Sequence, residues 1–170
     1  MVMVRANGES RLKGERVAAA WSRKRAKARD DAVPLTDRIP HWLDCRRDAV
    51  GRRVFSENAH AGTVRRIFAE TAQGLGRRMI AKGLNRESTP TFLSGSGWQI
   101  STIGKILAGR TALGEYQPSR RDETGKIVPD GEPILNYYPA VVDEALWTRA
   151  NAAIGLRRRN GGGRPQRQGL

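Results

Sequence analysis

Three closely spaced segments with the periodicity of amphipathic helices constrain this fold more than any other feature. The first spans about 60–73 and ends at Gly74, the second spans about 77–85, and the third begins after Trp98 and ends at Gly109. Each places apolar residues three and four positions apart, which is the spacing of one helix face. We therefore expect the three faces to share one core made of Val64, Ile67, Phe68, Ile80, Leu84, Ile103, Ile106 and Leu107.

The third segment, WQISTIGKIL at 98–107, predicts a helix with Ser101 as its N-cap, because a serine hydroxyl accepts a hydrogen bond from a first-turn N–H group. Its outward face is small, polar and basic, and comprises Ser101, Gly104, Lys105 and Ala108, with Thr102 at its edge. Such a face on the last of three helices is typical of a helix-turn-helix reader. The fifteen residues between Asn85 and Ser101 exceed the usual turn of about 3–4. An ordinary three-helix core with one solvated face therefore remains open.

Other elements flank these helices on the N-terminal side. Residues 9–29 predict a long helix whose thin apolar stripe leans on a partner or stands in solvent. The segment PLTDRIP at 34–40 is bounded by two prolines and predicts an extended linker from which Arg38 projects. Residues 44–58 are charged and are expected to be irregular.

The C-terminal part changes character. Short runs in which apolar and polar residues alternate, on either side of a turn at 122–125, predict a small β-hairpin. Asp143 is predicted to cap a last helix over about 144–154, and the sequence from 157 onward predicts a disordered basic tail. The expected fold class is α+β and mainly helical, with a long N-terminal helix and a helix-turn-helix-like bundle that carries a small β-hairpin.

The charge of the chain indicates its partner. A formal net charge of +14 on 170 residues points to a polyanion, nucleic acid before an anionic membrane, although a merely highly charged solvated surface is an alternative. Three basic zones, 1–29, 64–114 and 150–170, alternate with two weakly acidic zones. This alternation is typical of a chain that lies along a polyanion.

The sequence contains no recognisable active site or metal site. Cys45 is the one cysteine, so no disulfide framework or cysteine-based zinc site forms within the chain, and a reducing cytoplasm is the expected location. His41 and His60 are nineteen positions apart and are expected at the surface rather than as metal ligands. No apolar run reaches the ~18–20 residues of a membrane span. We expect no catalytic residue, metal, cofactor, small-molecule substrate or membrane partner.

Five segments follow one another in an order that resembles a known family. They are RANGESRLKGERVAAAWSRKRAKARDDAVPLTDRIPHWL at 5–43, TVRRIFAETAQGLGRRMIAKGLN at 63–85, TP with a glycine loop, WQISTIGKILAGRTALGEYQP at 98–118, and VPDGEPILNYYPAVVDEALWTRANAAI at 128–154. In this order they resemble the middle of the large serine recombinases of the resolvase/invertase superfamily, which occur in phages and mobile elements. The resemblance covers about residues 5–160.

The resemblance implies a division of the chain. Residues 1–31 correspond to the end of the long dimerisation helix, 32–43 to the linker, 44–156 to the recombinase DNA-binding domain, and 157–170 to a basic tail. The catalytic serine of the family lies in a preceding domain, and a cysteine-rich zinc ribbon normally follows. No DNA cleavage is therefore expected from this chain, which corresponds either to an excised domain or to a truncated reading frame.

The implied function is sequence-specific binding of double-stranded DNA at an attachment site during integration or excision. Self-association is expected through the full-length recombinase. The expected location is the cytoplasm, in association with the nucleoid, for a protein of bacterial or phage origin. A stand-alone basic protein that binds nucleic acid without sequence preference is the alternative, since charge alone predicts binding without base readout.

The candidate DNA contacts lie on three elements. Arg38 is expected to follow the minor groove, where negative potential is concentrated. Lys105 is expected to contact a base or the backbone from the major groove, with Ser101 and Thr102 positioning the helix end. Arg120 and Arg121, on the β-hairpin, are second-rank contacts.

Overall fold

The computed structural model describes residues 3–30, 35, 39–93, 95 and 97–160, with side chains described from residue 12 to 29 in the first helix and to 159 in the last. The elements in chain order are α1 (Met3–Asp30), β1 (Leu43–Arg47), β2 (Arg53–Glu57), α2 (Ala61–Ala72), α3 (Arg77–Arg86), α4 (Ile100–Ala108), a 3₁₀ turn (Thr111–Leu113), β3 (Ser119–Arg121), β4 (Ile127–Pro129) and α5 (Glu144–Asn160). The mainly helical α+β class is confirmed.

The core lies between α2, α3 and α4, and α5 packs along α2. All eight apolar residues expected in the core are buried, and Val64, Ile67, Phe68, Ile80, Leu84 and Ile103 have no exposed surface. Thr71 is the buried polar residue of α2, and its hydroxyl donates to the Ile67 carbonyl at 2.7 Å. The helical periodicity of the sequence therefore identified the core correctly, because each short helix is stable only with its apolar face covered.

The prediction that Ser101 caps α4 is wrong. The helix begins two residues earlier than this cap would place it, at Ile100, its N-cap is Gln99 without a side-chain cap, and Ser101 lies exposed in the first turn. The start is fixed instead by Asn85, whose amide accepts from the Trp98 N–H at 2.6 Å and donates to the Trp98 carbonyl at 3.1 Å. Gly97 precedes this pair with φ +105°, and a Cβ there would lie 2.6 Å from the Asn85 amide oxygen.

The prediction that residues 44–58 are irregular is also wrong, because β1 and β2 form an antiparallel hairpin with Cys45 opposite Phe55. Its turn is built by Asp48, whose carboxylate accepts from the Val50 and Arg52 N–H groups at 2.9 and 2.8 Å. The ring of Phe55 packs against two tyrosines far along the chain, Tyr137 and Tyr138, at 5.7 and 5.2 Å between centroids. These tyrosines give the charged hairpin an apolar support that its own sequence does not show.

Helix α1 stands largely in solvent, as its thin stripe predicted. Leu12, Val17 and Trp21 are between 44% and 50% exposed. Only the C-terminal end of the described part of α1 packs against the rest of the protein. Ala28 is buried there, and Arg25 forms an ion pair with Asp130 at 2.8 Å. Among the described residues, no helix combines the length and the apolar content needed to cross a membrane.

Within the predicted linker segment 34–40, the structure describes Leu35, Ile39 and Pro40. Leu35 and Ile39 pack against the core, and the Leu35 N–H donates to the Tyr137 hydroxyl at 2.6 Å. Arg38 lies outside the described residues.

Helix α5 continues six residues beyond its predicted end at Ile154, so residues 157–160 are helical rather than disordered. The extension is held by Arg157, which donates to the Leu75 carbonyl at 2.6 Å and to the Ala153 carbonyl at 3.3 Å. Arginines in a last helical turn also interact favourably with the helix dipole. Residues 161–170 lie outside the described part of the chain.

Asp143 caps α5, as the sequence predicted, since its carboxylate accepts from the Leu146 N–H at 2.6 Å. Replacement Asp143→Ala leaves this N–H group without its partner and should lower the free energy of unfolding by ~0.5–2 kcal/mol. Urea unfolding followed by tryptophan fluorescence measures the change. Asp143→Asn keeps the acceptor and should stay close to the parent; equal losses in both variants would contradict a capping role.

Candidate nucleic-acid interface

Acidic residues are nearly absent from the helices that form the core. Between residues 71 and 114, Glu87 is the only acid. Arg66 on α2 hydrogen-bonds to both Glu87 and Glu70, which raises the pKa of Arg66. The same hydrogen bonds hold the pKa of Glu87 below its usual range. Glu87 is therefore engaged by Arg66 of α2 and also lies 3.8 Å from Arg86, so the other cations of α3 and α4 have no acidic partner among the described residues.

The outward ridge of α4 has the composition predicted from the sequence. Ser101, Lys105 and Ala108 are exposed along it, while Thr102 and Gly104 lie half-buried on opposite edges. The structure therefore brings the three candidate residues of this helix, Ser101, Thr102 and Lys105, onto one surface.

A cleft of about 480 Å³ borders the ridge on the Thr102 side. Its wall is mainly aromatic: the Phe92 ring lies 4.9 Å from that of Trp98 and 5.5 Å from that of His41, between centroids. His60 also packs on Phe92, at 5.3 Å, so the two histidines support this wall. His41 is exposed, as predicted, whereas His60 is partly buried. Within the described residues, no group of three His, Cys, Asp or Glu side chains could hold a metal ion.

A smaller cleft, of about 160 Å³, borders the ridge on the other edge, where α3, α4 and α5 meet. Arg77 from α3, Gly104 from α4 and Arg158 from α5 line it. The ridge of α4 is thus flanked on both sides by concave surface.

Helix α3 adds a row of cations beside the start of α4. Arg78, Lys82 and Arg86 recur every four residues and line a shallow groove with Gln99 and Ile100. This row was not predicted from the sequence, although its spacing places the three side chains on one helix face. Two further arginines of the surface, Arg77 and Arg158, are 81 positions apart, and no local pattern connects them.

The N-terminus of α3 has no side-chain cap and carries two arginines. Its N-cap is Gly76, without a side-chain cap, and Arg77 and Arg78 occupy the first turn. Positive charge at this end opposes the helix dipole, whereas an anion there is favoured by the dipole and by the unpaired N–H groups. Arg77 and Arg78 therefore do not stabilise α3 through the helix dipole.

Comparison with known proteins identifies the family of this chain. The family model named Recombinase matches residues 58–157, from the end of β2 through most of α5. This chain belongs to the Recombinase family, the central domain of serine recombinases. It is also 32% identical, over 149 residues, to the uncharacterized protein YbcK of Escherichia coli (strain K12). That alignment covers 86% of this chain and 28% of YbcK, so the chain spans little more than a quarter of this relative's length.

Membership of this family relates the chain to DNA recombination by serine recombinases. The matched region contains α2, α3 and α4. The ridge of α4 and the cations around it form a surface that we call the α3–α4 surface. Its cations are Arg77, Arg78, Lys82, Arg86, Lys105 and Arg158, and all but Arg158, which lies one residue beyond the match, are in the matched region. Arg38 precedes the matched region.

The second-rank candidates of the recombinase domain, Arg120 and Arg121, lie elsewhere. Both are exposed on β3, in a hairpin joined to the core by the Tyr116–Ile134 bridge. Arg121 donates to the Gly125 carbonyl at 2.7 Å across the hairpin turn. Neither residue lines the two clefts beside α4.

Arg110, which follows α4, differs from the cations of the ridge. It hydrogen-bonds to Glu115 at 2.8 Å and to Glu144 at 3.0 Å, which raises its pKa, and its guanidinium lies 4.7 Å above the Trp147 ring. These contacts join the end of α4 to the start of α5. Arg110 is thereby engaged within the fold, in contrast to Lys105.

Proposed function

We propose that this recombinase domain binds double-stranded DNA at the attachment site of a serine site-specific recombinase, with α4 in the major groove and the preceding linker in the adjacent minor groove. The observation that carries the proposal is the ridge of α4, which is smooth, lacks acids and has Lys105 at its centre. An α-helix with its side chains is about 10–12 Å across, and the major groove is about 12 Å wide. The cations of α3 would meet the phosphates that border that groove.

Each candidate residue has a distinct role in this proposal. Lys105 reaches a guanine O6 or N7 or the adjacent backbone, and the Ser101 and Thr102 hydroxyls position the start of α4. Arg120 and Arg121 extend the contact from the second hairpin. The chain alone binds without cleaving, and self-association comes from the full-length enzyme; a covalent protein–DNA adduct formed by this chain would contradict that part.

Selection from a pool of random duplexes tests the proposal. The 170-residue chain should enrich a defined sequence, because base-edge contacts from one helix discriminate between bases. Enrichment without any common sequence would favour the alternative, a basic protein that binds nucleic acid through charge alone.

The proposed contact between the linker and the minor groove can be tested at Arg38. Arg38→Ala should weaken binding most on duplexes with A·T-rich sequence beside the selected site, because their narrow minor groove concentrates negative potential. Fluorescence anisotropy on matched duplexes with A·T-rich and G·C-rich flanks measures the difference, and the G·C-rich duplex is the internal control. Equal losses on both would reduce Arg38 to a phosphate contact.

A further inference from the structure

The small cleft between α3, α4 and α5 has the features of a binding site. Arg77 and Arg158 form two of its walls, and Asn151 and Gly155 complete the α5 side. No acid lines it. With about 30 Å³ per liquid water, its volume of about 160 Å³ has room for one phosphate-sized anion and some of its hydration.

Two glycines within helices line this cleft. Gly104 lies inside α4 and Gly155 inside α5, where glycine is the least favourable residue apart from proline. A Cβ at Gly155 would meet nothing within 4 Å, so packing does not require glycine there. A Cβ at Gly104 would lie 2.6 Å from a terminal nitrogen of Arg77. Glycine at 104 therefore allows the guanidinium of Arg77 to lie directly against α4.

The two arginines are available to a ligand. Within the described part of the chain, neither Arg77 nor Arg158 has a hydrogen bond or ion pair to another side chain. The neighbouring Arg157 is different, because its hydrogen bond to the Leu75 carbonyl anchors the last turn of α5 beside the start of α3. Arg158 follows this anchor directly and lines the same cleft as Arg77.

We propose that this cleft is a phosphate-binding site in which the guanidinium groups of Arg77 and Arg158 hold one phosphate group between them. Guanidinium groups match the geometry of phosphate oxygens, and their charged hydrogen bonds are about twice as strong as neutral ones. The uncapped N-terminus of α3 adds a favourable dipole next to Arg77. The phosphate is either a diester of the DNA backbone or inorganic phosphate, and two separate experiments distinguish them.

As a DNA contact, the site rests on the proposed function and extends it. Gly104 lies on the edge of α4 opposite Thr102, so a phosphate held at the cleft would lie at one rim of the groove that α4 enters. Arg77 and Arg158 would then fix the position of α4 across the groove, while residues of the ridge face the bases. As an inorganic phosphate site, it is independent of DNA.

Titration of the chain with inorganic phosphate, at constant ionic strength against chloride, tests the site itself. The amide NMR signals of Gly104 and Gly155 should shift with saturation. Arg158→Gln should weaken the apparent affinity about tenfold, because it removes one charged hydrogen-bond donor. The matched control is Arg149→Gln, an exposed position on the same helix that is nine residues away and hence on the opposite face. Shifts that do not saturate, or that are equal in both variants, would overturn the site.

Gly104→Ala separates binding from packing. Alanine favours helix over glycine, and the atom it would displace is the end of the flexible Arg77 side chain. The midpoint of thermal unfolding should therefore stay the same or rise, while phosphate affinity falls. Unchanged phosphate affinity, whatever the stability, would show that the opening at Gly104 serves no ligand.

The DNA experiment measures how affinity for one duplex depends on salt. Arg158→Gln should reduce the slope of log affinity against log salt by about 1, as expected when one phosphate is no longer neutralised, and Arg149→Gln should leave it unchanged. If the parent chain binds phosphate but no duplex, the proposed function fails and the site stands. If it binds duplex while Arg158→Gln alters neither slope nor phosphate affinity, the site fails and the proposed function stands.

Discussion

The affinity of this chain for duplex DNA should fall about a thousandfold when salt rises from 50 to 200 mM, if about six phosphates are neutralised on binding. The six contacts expected to contribute are those of Arg38, Arg78, Lys82, Arg86 and Lys105, together with the one phosphate that Arg77 and Arg158 share. Each neutralised phosphate releases condensed counterions, so the slope of log affinity against log salt is about −0.9 per contact. Anisotropy titrations of one labelled duplex at several potassium chloride concentrations give this slope directly.

Two triple variants test where these contacts lie. Replacing Arg78, Lys82 and Arg86 with glutamine removes the cationic row of α3 and should reduce the slope by about 3, one for each phosphate that is no longer neutralised. Replacing Lys13, Arg16 and Arg23, which are exposed on α1, removes the same charge and should leave the slope unchanged. Equal reductions would mean that total charge, rather than the α3–α4 surface, governs binding. A parent slope near zero would remove the electrostatic basis of the proposal.

The sequence predicted the core because the core depends on local periodicity. Val64, Ile67 and Phe68 follow one another at helical spacing, and α3 and α4 repeat the pattern, so each apolar face was visible within one short segment. The row Arg78, Lys82 and Arg86 was equally visible, and its spacing within an almost acid-free stretch is the signal that should have identified it.

Two wrong predictions from the sequence, the Ser101 cap and the irregular segment 44–58, concern features that depend on distant residues. Asn85 fixes the start of α4 through the Trp98 backbone, and this overrides the local preference of Ser101 for an N-cap position. The β1–β2 hairpin depends on Phe55 meeting Tyr137 and Tyr138, more than 80 positions away. A pattern within one segment does not contain such contacts.

The same limit applies to the interface. Lys105 could be proposed from the sequence, because the face of one helix can be drawn from its residues alone. The cleft beside it could not, since Arg77 and Arg158 meet Gly104 only after α3, α4 and α5 have packed. The contact between α3 and α4 also explains the glycine at 104, because its missing side chain makes room for Arg77.

Adjacent residues of α4 should respond to substitution in opposite ways. Ile106 is 6% exposed and belongs to the core, so Ile106→Ala should lower the free energy of unfolding by ~2–5 kcal/mol through reduced burial and a residual cavity. Ile106→Val, which removes a single methylene, should cost ~0.5–1.5 kcal/mol. Urea unfolding followed by tryptophan fluorescence measures both changes.

Lys105 projects from the other face, so Lys105→Ala should change stability by no more than ~0.5 kcal/mol. If Lys105 reads a base, the same variant should lose ~1–3 kcal/mol of binding free energy on the selected duplex and less on random duplexes. Anisotropy titrations on the two duplexes at one salt concentration separate base readout from a phosphate contact, which would weaken both alike. If Ile106→Ala unfolds the domain while Lys105→Ala leaves both affinities unchanged, α4 serves the core alone. The surface that reads DNA would then lie elsewhere, with the exposed Arg120 and Arg121 of the second hairpin as the next candidates.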